Sequence, residues 1–269
     1  MEPEHAAIDR AFGPDDLRPL LAVCGIGATI LVQAACSDAD TDSMFEHARG
    51  HDWIAAVTAW VPLDAPGRAE ARLGELIAEP KLRGVRHLIH GESDPHWILR
   101  PRVLTSIALL EERGLLLELP CVYPLHLGDV PELARRFPQL TIVIDHLGKP
   151  PVGMPEMAHW EALIRAAAGA PNVVAKVSGL NTALTDPRWG AGDLLASVEI
   201  ALDCFGPRRL MFGSDWPVAL LNGTYERVWD ETTRAIETVA GSDAGQVLGD
   251  TAARLYGIAA TDREGGAAW

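Results

Sequence analysis

An α/β fold of the (β/α)8 TIM-type barrel is what the sequence predicts, and three observations support it. Seven short runs rich in Val, Ile and Leu alternate with segments of helical spacing along the 269 residues, as in right-handed βαβ units around a parallel sheet. These units repeat at roughly 30 residues, the usual length of one such unit. No Gly-x-Gly-x-x-Gly motif follows any run, which disfavours a doubly wound nucleotide-binding sheet.

The apolar runs predict strands that are buried on both faces, because apolar residues occupy consecutive rather than alternate positions. In chain order they are Thr29–Ala34, Trp53–Leu63, Leu82–Ile89, Leu115–Cys121, Thr141–His146, Val173–Gly179 and Leu210–Trp216. A barrel of this type needs eight strands, and residues 1–13 contain no further run of strand-forming residues. We therefore expect the first barrel strand to be missing from the sequence as given: either the native start lies upstream of Met1, or the barrel closes in an irregular way.

The helices between these strands follow from apolar spacing and from residues that favour helix ends. Pro-Asp-Asp at residues 14–16 supplies an acidic first turn for a helix over Pro14–Val23. Gly114 and Gly206 fall where two helices should end, since glycine accepts the left-handed backbone of a helix C-terminus. The other predicted helices are Arg68–Ala78, Pro101–Arg113, Val130–Phe137, Met157–Ala168 and Gly192–Phe205.

The composition indicates one domain and disfavours several kinds of partner. Residues 1–258 are predicted to form a single domain, followed by a small, polar and disordered tail over residues 259–269. The net charge of −14 disfavours nucleic acid, and no apolar segment is typical of a membrane span or signal peptide. We expect a cytoplasmic protein that acts on a small molecule, with homo-oligomer formation left open.

The four cysteines lie far apart and form no Cys-x-x-Cys pair that could hold zinc or a redox disulfide. We interpret them as reduced structural thiols, because free cysteines in proteins are usually buried. They are Cys24, Cys36, Cys121 and Cys204.

Polar residues follow two of the predicted strands at positions where barrels keep their reactive groups. The run Thr141–His146 ends in Asp145 and His146, and the run Leu210–Trp216 carries Asp215 after Gly and Ser. In a βα barrel, the C-terminal strand ends form the active site. A carboxylate fixed there by a nearby Pro is partly desolvated, as a general base for water requires. The sequence therefore predicts that Asp145-His146 and Asp215 are functional.

Two other predicted strands carry charged side chains near their ends. Alternation with period two places Arg86 and His90 on one face of their strand, and Lys176 and Ser178 on one face of theirs. These side chains could bind a substrate. A structural interpretation competes for Lys176, which could simply form an ion pair with Glu118 inside the barrel.

Two aromatic side chains, His126 and Trp216, complete the candidate set, and both also have structural interpretations. A single histidine is more often a hydrogen-bonded structural group than a ligand of substrate. Most tryptophans pack in the core. The sequence alone leaves both interpretations open.

Four motifs occur in chain order and share a pattern with a known family. They are Gly-Val-Arg86-His-Leu-Ile, Asp145-His146-Leu-Gly-Lys-Pro, Lys176-Val-Ser-Gly-Leu and Gly-Ser-Asp215-Trp-Pro-Val. The closing Asp250-Thr-Ala-Ala-Arg-Leu-Tyr-Gly is similar too. On these motifs, the chain from about Phe12 to Ile258 resembles the amidohydrolase-related family (amidohydrolase 2), and specifically its branch of sugar and pyrone lactonases.

The resemblance implies a hydrolase that opens cyclic esters such as aldonolactones or pyrone-type lactones. It assigns Asp215 as the base that takes a proton from water, and His146 as the group that binds the substrate carbonyl, a metal, or both. It further suggests Arg86 for a substrate carboxylate or hydroxyl, because a guanidinium donates bidentately. Lys176, Trp216 and His126 are the remaining substrate-binding candidates.

The sequence departs from the family pattern at its start. Members of the family begin with a strand that ends in His-x-His followed by Phe-Trp, and those histidines belong to the metal-binding or carbonyl-binding set. Here His5 stands alone, without a strand. We therefore expect no metal to be required; a weakly bound divalent ion such as zinc would use His146 and Asp215.

Two alternatives to lactone hydrolysis are left open. Related barrels decarboxylate aromatic carboxylates with a metal held at the same strand ends, which would show as retained metal and release of CO2. A catalytically silent barrel that binds a sugar acid is the other alternative, and it would bind ligand without turnover.

Overall fold

The computed structural model describes residues 7–258 and shows a curled parallel sheet of seven strands, which confirms the α/β barrel class. The strand order follows the sequence, and every neighbouring pair is parallel. The strands are β1 Thr29–Val32, β2 Ile54–Ala59, β3 Leu82–Arg86, β4 Leu116–Leu119, β5 Ile142–Ile144, β6 Val173–Val177 and β7 Leu210–Phe212. Within the described residues no further strand stands between β7 and β1. The predicted tail lies outside the described residues.

Helices α2 to α7 connect successive strands, as the βαβ pattern predicts, whereas α1 precedes β1 and α8 and α9 follow β7. The helices are α1 Pro14–Val23, α2 Asp38–Gly50, α3 Pro66–Leu76, α4 Pro101–Glu112, α5 Val130–Arg136, α6 Met157–Ala168, α7 Ala191–Phe205, α8 Tyr225–Ala240 and α9 Thr251–Leu255. Side-chain caps begin two of them: Ser37 accepts a hydrogen bond at the start of α2, and Thr224 does so for α8. Gly114 follows α4 and Gly206 follows α7, both with positive φ as predicted. No helix among these residues is long and apolar enough to cross a membrane.

The strands are shorter than their apolar runs suggest. β2 ends at Ala59, although Val61 and Leu63 beyond it are fully buried. β3 ends at Arg86, and the chain then enters a short 3-10 helix over Ile89–Gly91. Burial therefore continues past the last backbone pair, because loop residues fill the space between strand ends and helices. The prediction that His90 shares a strand face with Arg86 is wrong, because β3 ends at Arg86 and His90 lies in the 3-10 helix.

The inward-facing side chains of the barrel form two levels. Toward the N-terminal strand ends the level is apolar, and a tyrosine from the C-terminal segment closes it; its members are Ala56, Leu116, Val143, Val174, Met211 and Tyr256. Two residues further along, the level is polar and holds Thr58, Arg86, Glu118 and Lys176. Side chains alternate along a strand, so residues two positions apart point to the same face. The apolar level therefore lies beneath the charged level, and the charged level is at the end of the barrel where such folds have their active sites.

The cysteines are free thiols, as predicted, but only some are buried. All four are unpaired with another cysteine, and Cys121 is fully buried. Burial raises the pKa of the Cys121 thiol, so it stays protonated. Cys36 is exposed in the loop after β1, so the structural interpretation does not hold for it.

Candidate active site

Asp215 and His146 meet where β7 and β5 end. The Asp215 Oδ1 atom lies 3.6 Å from His146 Nε2, and the two side chains are 15% and 12% exposed. This separation is longer than a hydrogen bond, so both groups can face one small reactant held between them. The structure thus brings the two predicted catalytic residues together.

The backbone at both residues adopts a conformation that costs energy. Asp215 has φ +55° and His146 has φ +54°, a left-handed region that costs a residue with a Cβ about 1–2 kcal/mol. Such strain persists only where the surrounding structure holds it, and it is common at functional sites. In this barrel it turns both side chains toward each other across the strand ends.

Gly179 is a site residue that the sequence reasoning missed. It follows β6 with φ +61°, and a Cβ built on it would lie 2.5 Å from Asp215 Oδ2 and 3.0 Å from His146 Nδ1. Only glycine fits between the two side chains, since real contacts of a Cβ are not that short. A glycine directly after the polar end of a strand was the signal that could have found it.

His146 is held by Ser178 and is neutral near neutral pH. Its Nδ1 lies 2.8 Å from the Ser178 hydroxyl oxygen. Burial lowers the pKa of His146, and the carboxylates of Asp215 and Asp145 only partly oppose this. A neutral imidazole carries one N–H. When the Ser178 hydroxyl donates to Nδ1, that proton lies on Nε2 and faces Asp215.

Below this pair, Asp145 lies between two cations. Its Oδ2 accepts a hydrogen bond of 2.8 Å from Arg86, and Lys176 Nζ lies 2.9 Å from its Oδ1. Burial by itself would raise the pKa of Asp145, but the charges of Lys176 and Arg86 outweigh it and hold that pKa well below its usual range. Asp145 therefore supplies a fixed negative charge beside His146.

Lys176 also forms the ion pair with Glu118 that was the structural interpretation of this lysine. Burial by itself would lower the pKa of Lys176, but Asp145 and Glu118 outweigh it, and the pKa is raised. The ammonium is therefore charged and is no proton acceptor at neutral pH. In this layer the positive charges of Lys176 and Arg86 balance the negative charges of Glu118 and Asp145.

The guanidinium of Arg86 is largely engaged within the protein. One Nη donates to Asp145 and the other to the backbone oxygen of Gln33, while its Nε is buried and has no hydrogen-bond partner among residues 7–258. The two Nη groups that we expected to bind a substrate carboxylate therefore make hydrogen bonds within the barrel. Arg86 still lines the cavity described next, where its charge acts on whatever binds there.

A cavity of about 490 Å³ opens beside the pair. Its polar wall is formed by Arg86, Asp145, His146, Lys176, Ser178 and Asp215, and its apolar wall includes Leu17, Leu21, Met44, Trp53 and Trp229. Residues of both β1 and β7 line it, so it occupies the place where a closed eight-stranded barrel has another strand. Part of this volume is therefore a gap in the sheet and part is room beside the reactive groups.

The two aromatic candidates differ in position. Trp216 lines the cavity and packs edge-on against Phe12, with ring centroids 5.2 Å apart. His126 is buried, does not line the cavity, and accepts a hydrogen bond at Nδ1 from the backbone of Val122. The structure therefore brings Trp216 to the site, and it gives His126 a role in its own loop.

Only two side chains of the described residues are placed to hold a metal at the site. His146 Nε2 and Asp215 Oδ1 are the nearby donors. Among residues 7–258, no group of three or more His, Cys, Asp and Glu side chains is arranged to hold a metal ion. A catalytic zinc site usually has three protein ligands, so this donor set is incomplete.

Comparison with known proteins places these features in a family. The amidohydrolase family profile matches residues 1–258. An L-fucono-1,5-lactonase from Burkholderia ambifaria is 35% identical over 258 residues, which cover 94% of this chain and 87% of the relative. An amidohydrolase from Burkholderia multivorans, solved in two crystal forms with bound HEPES and with bound zinc, is 35% identical to this chain.

The structural agreement with that Burkholderia multivorans protein is extensive. The TM-score is 0.86 for the form with HEPES and 0.84 for the form with zinc. In both cases the match covers 96% of this chain and 92% of the other. By sequence over nearly its whole length and by fold, this chain belongs to the amidohydrolase family.

Proposed function

We propose that this protein is a lactonase, which opens the cyclic ester of a sugar acid or a pyrone-type lactone with water. The observation that carries the proposal is the pairing of Asp215 with a neutral His146 at 3.6 Å, at the mouth of the barrel. The similar L-fucono-1,5-lactonase supports this class of substrate.

In the proposed mechanism, Asp215 acts as general base. Its carboxylate takes a proton from water, and the resulting hydroxide oxygen attacks the lactone carbonyl carbon. The Nε2–H of His146 donates to the carbonyl oxygen, where negative charge develops in the transition state. The charges of Arg86 and Lys176 lie below, at the polar wall of the cavity, and stabilise the same developing charge.

Ring opening follows when the tetrahedral intermediate collapses. The bond from the carbonyl carbon to the ring oxygen breaks, and the leaving oxygen takes the proton that Asp215 received from water. The product is an open hydroxy acid, and Asp215 returns to its carboxylate form. Trp216 lies beside this path and offers an aromatic face to the substrate.

Zinc is present in one of the similar amidohydrolase structures, so the fit of a metal to this site matters. His146 and Asp215 supply two ligands of the three that a catalytic zinc usually has, and the described residues add no third. The donor set does not fit, and each step above therefore uses the protein's own groups. Lactone opening is favoured over decarboxylation because an activated ester needs less electrophilic assistance than loss of CO2.

Replacement of Asp215 by Asn tests this function directly. A panel of aldono-1,5-lactones and pyrone dicarboxylate lactones would be followed by acid release with a pH indicator. We expect the wild-type protein to open at least one of them, and Asp215→Asn to lose about 10²–10⁴-fold in kcat.

Asp203→Asn is the matched control, because Asp203 is exposed on α7 and pairs only with Arg165. We expect it to retain the wild-type rate. Near-full activity of Asp215→Asn would contradict the mechanism, and binding of a lactone without any turnover by the wild type would favour the silent barrel instead.

A further inference from the structure

A buried series of side chains leads from the C-terminal segment to the proposed active site. The Tyr256 hydroxyl donates to Glu118 Oε1 over 2.6 Å, and Lys176 Nζ contacts the other oxygen of Glu118. Lys176 Nζ also lies 2.9 Å from Asp145 Oδ1, and Asp145 directly precedes His146. Tyr256, Glu118 and Asp145 are fully buried, and Lys176 is 9% exposed.

Lys176 is shared between two carboxylates, so its position depends on how strongly each attracts it. Glu118 is already neutralised in part, because the hydroxyls of Thr58 and Tyr256 both donate to its Oε1 over 2.6 Å. Such donors stabilise a carboxylate and weaken its demand for a cation. With both hydroxyls in place, the ammonium can remain beside Asp145 as well.

The hydrogen bond of the Tyr256 hydroxyl can be tested separately from the packing of its ring. The ring packs against apolar residues of the lower barrel level, among them Leu116, Val143 and Met211. Burial and the Glu118 carboxylate raise the pKa of Tyr256 well above its ordinary value, so the hydroxyl is a permanent donor. A phenylalanine would keep this packing and remove only the hydrogen bond.

We propose that Tyr256 is a positioning residue of the active site, which acts through Glu118 to keep Lys176 in contact with Asp145. The inference deepens the lactonase function proposed above and rests on it for its kinetic consequence. Removal of the hydroxyl leaves Glu118 with one donor fewer, and Lys176 moves toward it. Asp145 is then less compensated, and its negative charge acts more strongly on the neighbouring His146.

The expected consequence is a separation of Lys176 from Asp145, which a crystal structure of Tyr256→Phe measures directly. We expect the distance from Lys176 Nζ to Asp145 Oδ1, which is 2.9 Å in the wild type, to lengthen beyond about 3.5 Å, so that the hydrogen bond is lost. In lactone turnover, kcat should fall about tenfold with KM changed less than about twofold, because the substrate contacts remain.

Two further variants test whether the effect passes through Glu118. Glu118→Gln removes the competing carboxylate, so Lys176 turns to Asp145 and the two groups should stay within hydrogen-bond distance. In the double variant with Tyr256→Phe, loss of the hydroxyl should have little additional effect, because the two positions act on one contact.

Thr251→Val is the structural control. Thr251 is fully buried in the same C-terminal segment, and its hydroxyl donates to the backbone oxygen of Pro207. We expect this variant to lower the melting temperature without lengthening the contact between Lys176 and Asp145.

An unchanged distance between Lys176 and Asp145 in Tyr256→Phe would overturn the positioning role, as would an equal change of this distance in Thr251→Val. Because the distance is measured without substrate, this result is distinct from failure of the proposed function, which would show as absence of lactone turnover in the wild type.

Discussion

Gly179 faces Asp215 so closely that a Cβ would lie 2.5 Å from the Asp215 Oδ2 atom. The glycine belongs to the segment after β6, whereas Asp215 follows β7. Their contact is the point at which two neighbouring strand ends leave room for the carboxylate that we propose as the general base.

Gly179→Ala should therefore impair the site more than the fold. The added methyl group would push Asp215 away from His146, and a displacement of about 1 Å can lower a rate about 100-fold. We expect kcat/KM to fall by that order, and the positive φ to cost about 1–2 kcal/mol of unfolding free energy. Lactone kinetics and urea unfolding measure the two effects.

Gly192→Ala is its control, since a Cβ at Gly192 in α7 meets no atom within 4 Å. This variant should keep its rate and its stability. A Gly179→Ala protein with the wild-type rate would show that the close approach has no role in turnover.

Ser178→Ala removes the hydroxyl that lies 2.8 Å from His146 Nδ1. Without it, the ring loses the partner that keeps its proton on Nε2. We expect kcat to fall about fivefold to tenfold, the value of one hydrogen bond, as measured by initial rates at saturating lactone. Ser197→Ala is matched to it, because the buried Ser197 hydroxyl has no hydrogen-bond partner within the part of the chain that the structure describes. Equal losses in both variants would argue against this role of Ser178.

Asp145 gives the protein a specific dependence of stability on pH. Its pKa is depressed in the folded protein, so the unfolded chain binds the proton more readily. This contribution is present above the unfolded pKa of about 3.9 and is lost as pH falls through the folded value. The free energy of unfolding should thus decrease below about pH 4, as urea titrations across pH can measure.

Asp145→Asn should lose that part of the acid dependence. It should also be destabilised by about 3–5 kcal/mol at pH 7, because Lys176 and Arg86 remain buried with one carboxylate fewer. Unchanged stability at pH 7 would show that the ion pairs contribute nothing to the fold.

Removal of divalent ions should leave lactone turnover within about twofold of its starting rate. The reason is the donor set of residues 7–258, in which His146 and Asp215 provide two ligands, whereas a catalytic zinc usually needs three. The measurement compares protein before and after dialysis against a chelator, with metal content determined in both samples. Loss of the rate on chelation and its recovery with zinc would refute the proposed mechanism.

The sequence could predict Asp215 and His146 as a pair, because apolar strands with polar ends have a fixed place in a barrel. It could not show the role of Gly179, since the close approach depends on the twist between two strands. Tyr256 was beyond reach for a similar reason: 138 positions separate it from Glu118. The sequence of α9, the helix before Tyr256, does not indicate that this segment reaches the barrel interior.

The errors in the prediction arise from burial without pairing. Strand β3 stops at Arg86, and the chain turns into a 3-10 helix in which Ile89 is buried, so alternation could not be carried on to His90. Substrate binding by His126 stays a prediction, beside the hydrogen bond that His126 accepts within its own turn. A pattern of apolar residues indicates which segments are buried. Whether a buried segment is a strand depends on whether its backbone pairs with a neighbouring strand.

The opening between β7 and β1 also bears on the surroundings of Asp215. Within residues 7–258, the strand before Asp215 pairs with β6 alone. Trp216, the residue after Asp215, packs edge-on against Phe12, which precedes α1. A substitution of Phe12 that moves the Trp216 ring therefore acts on the proposed base from outside the sheet.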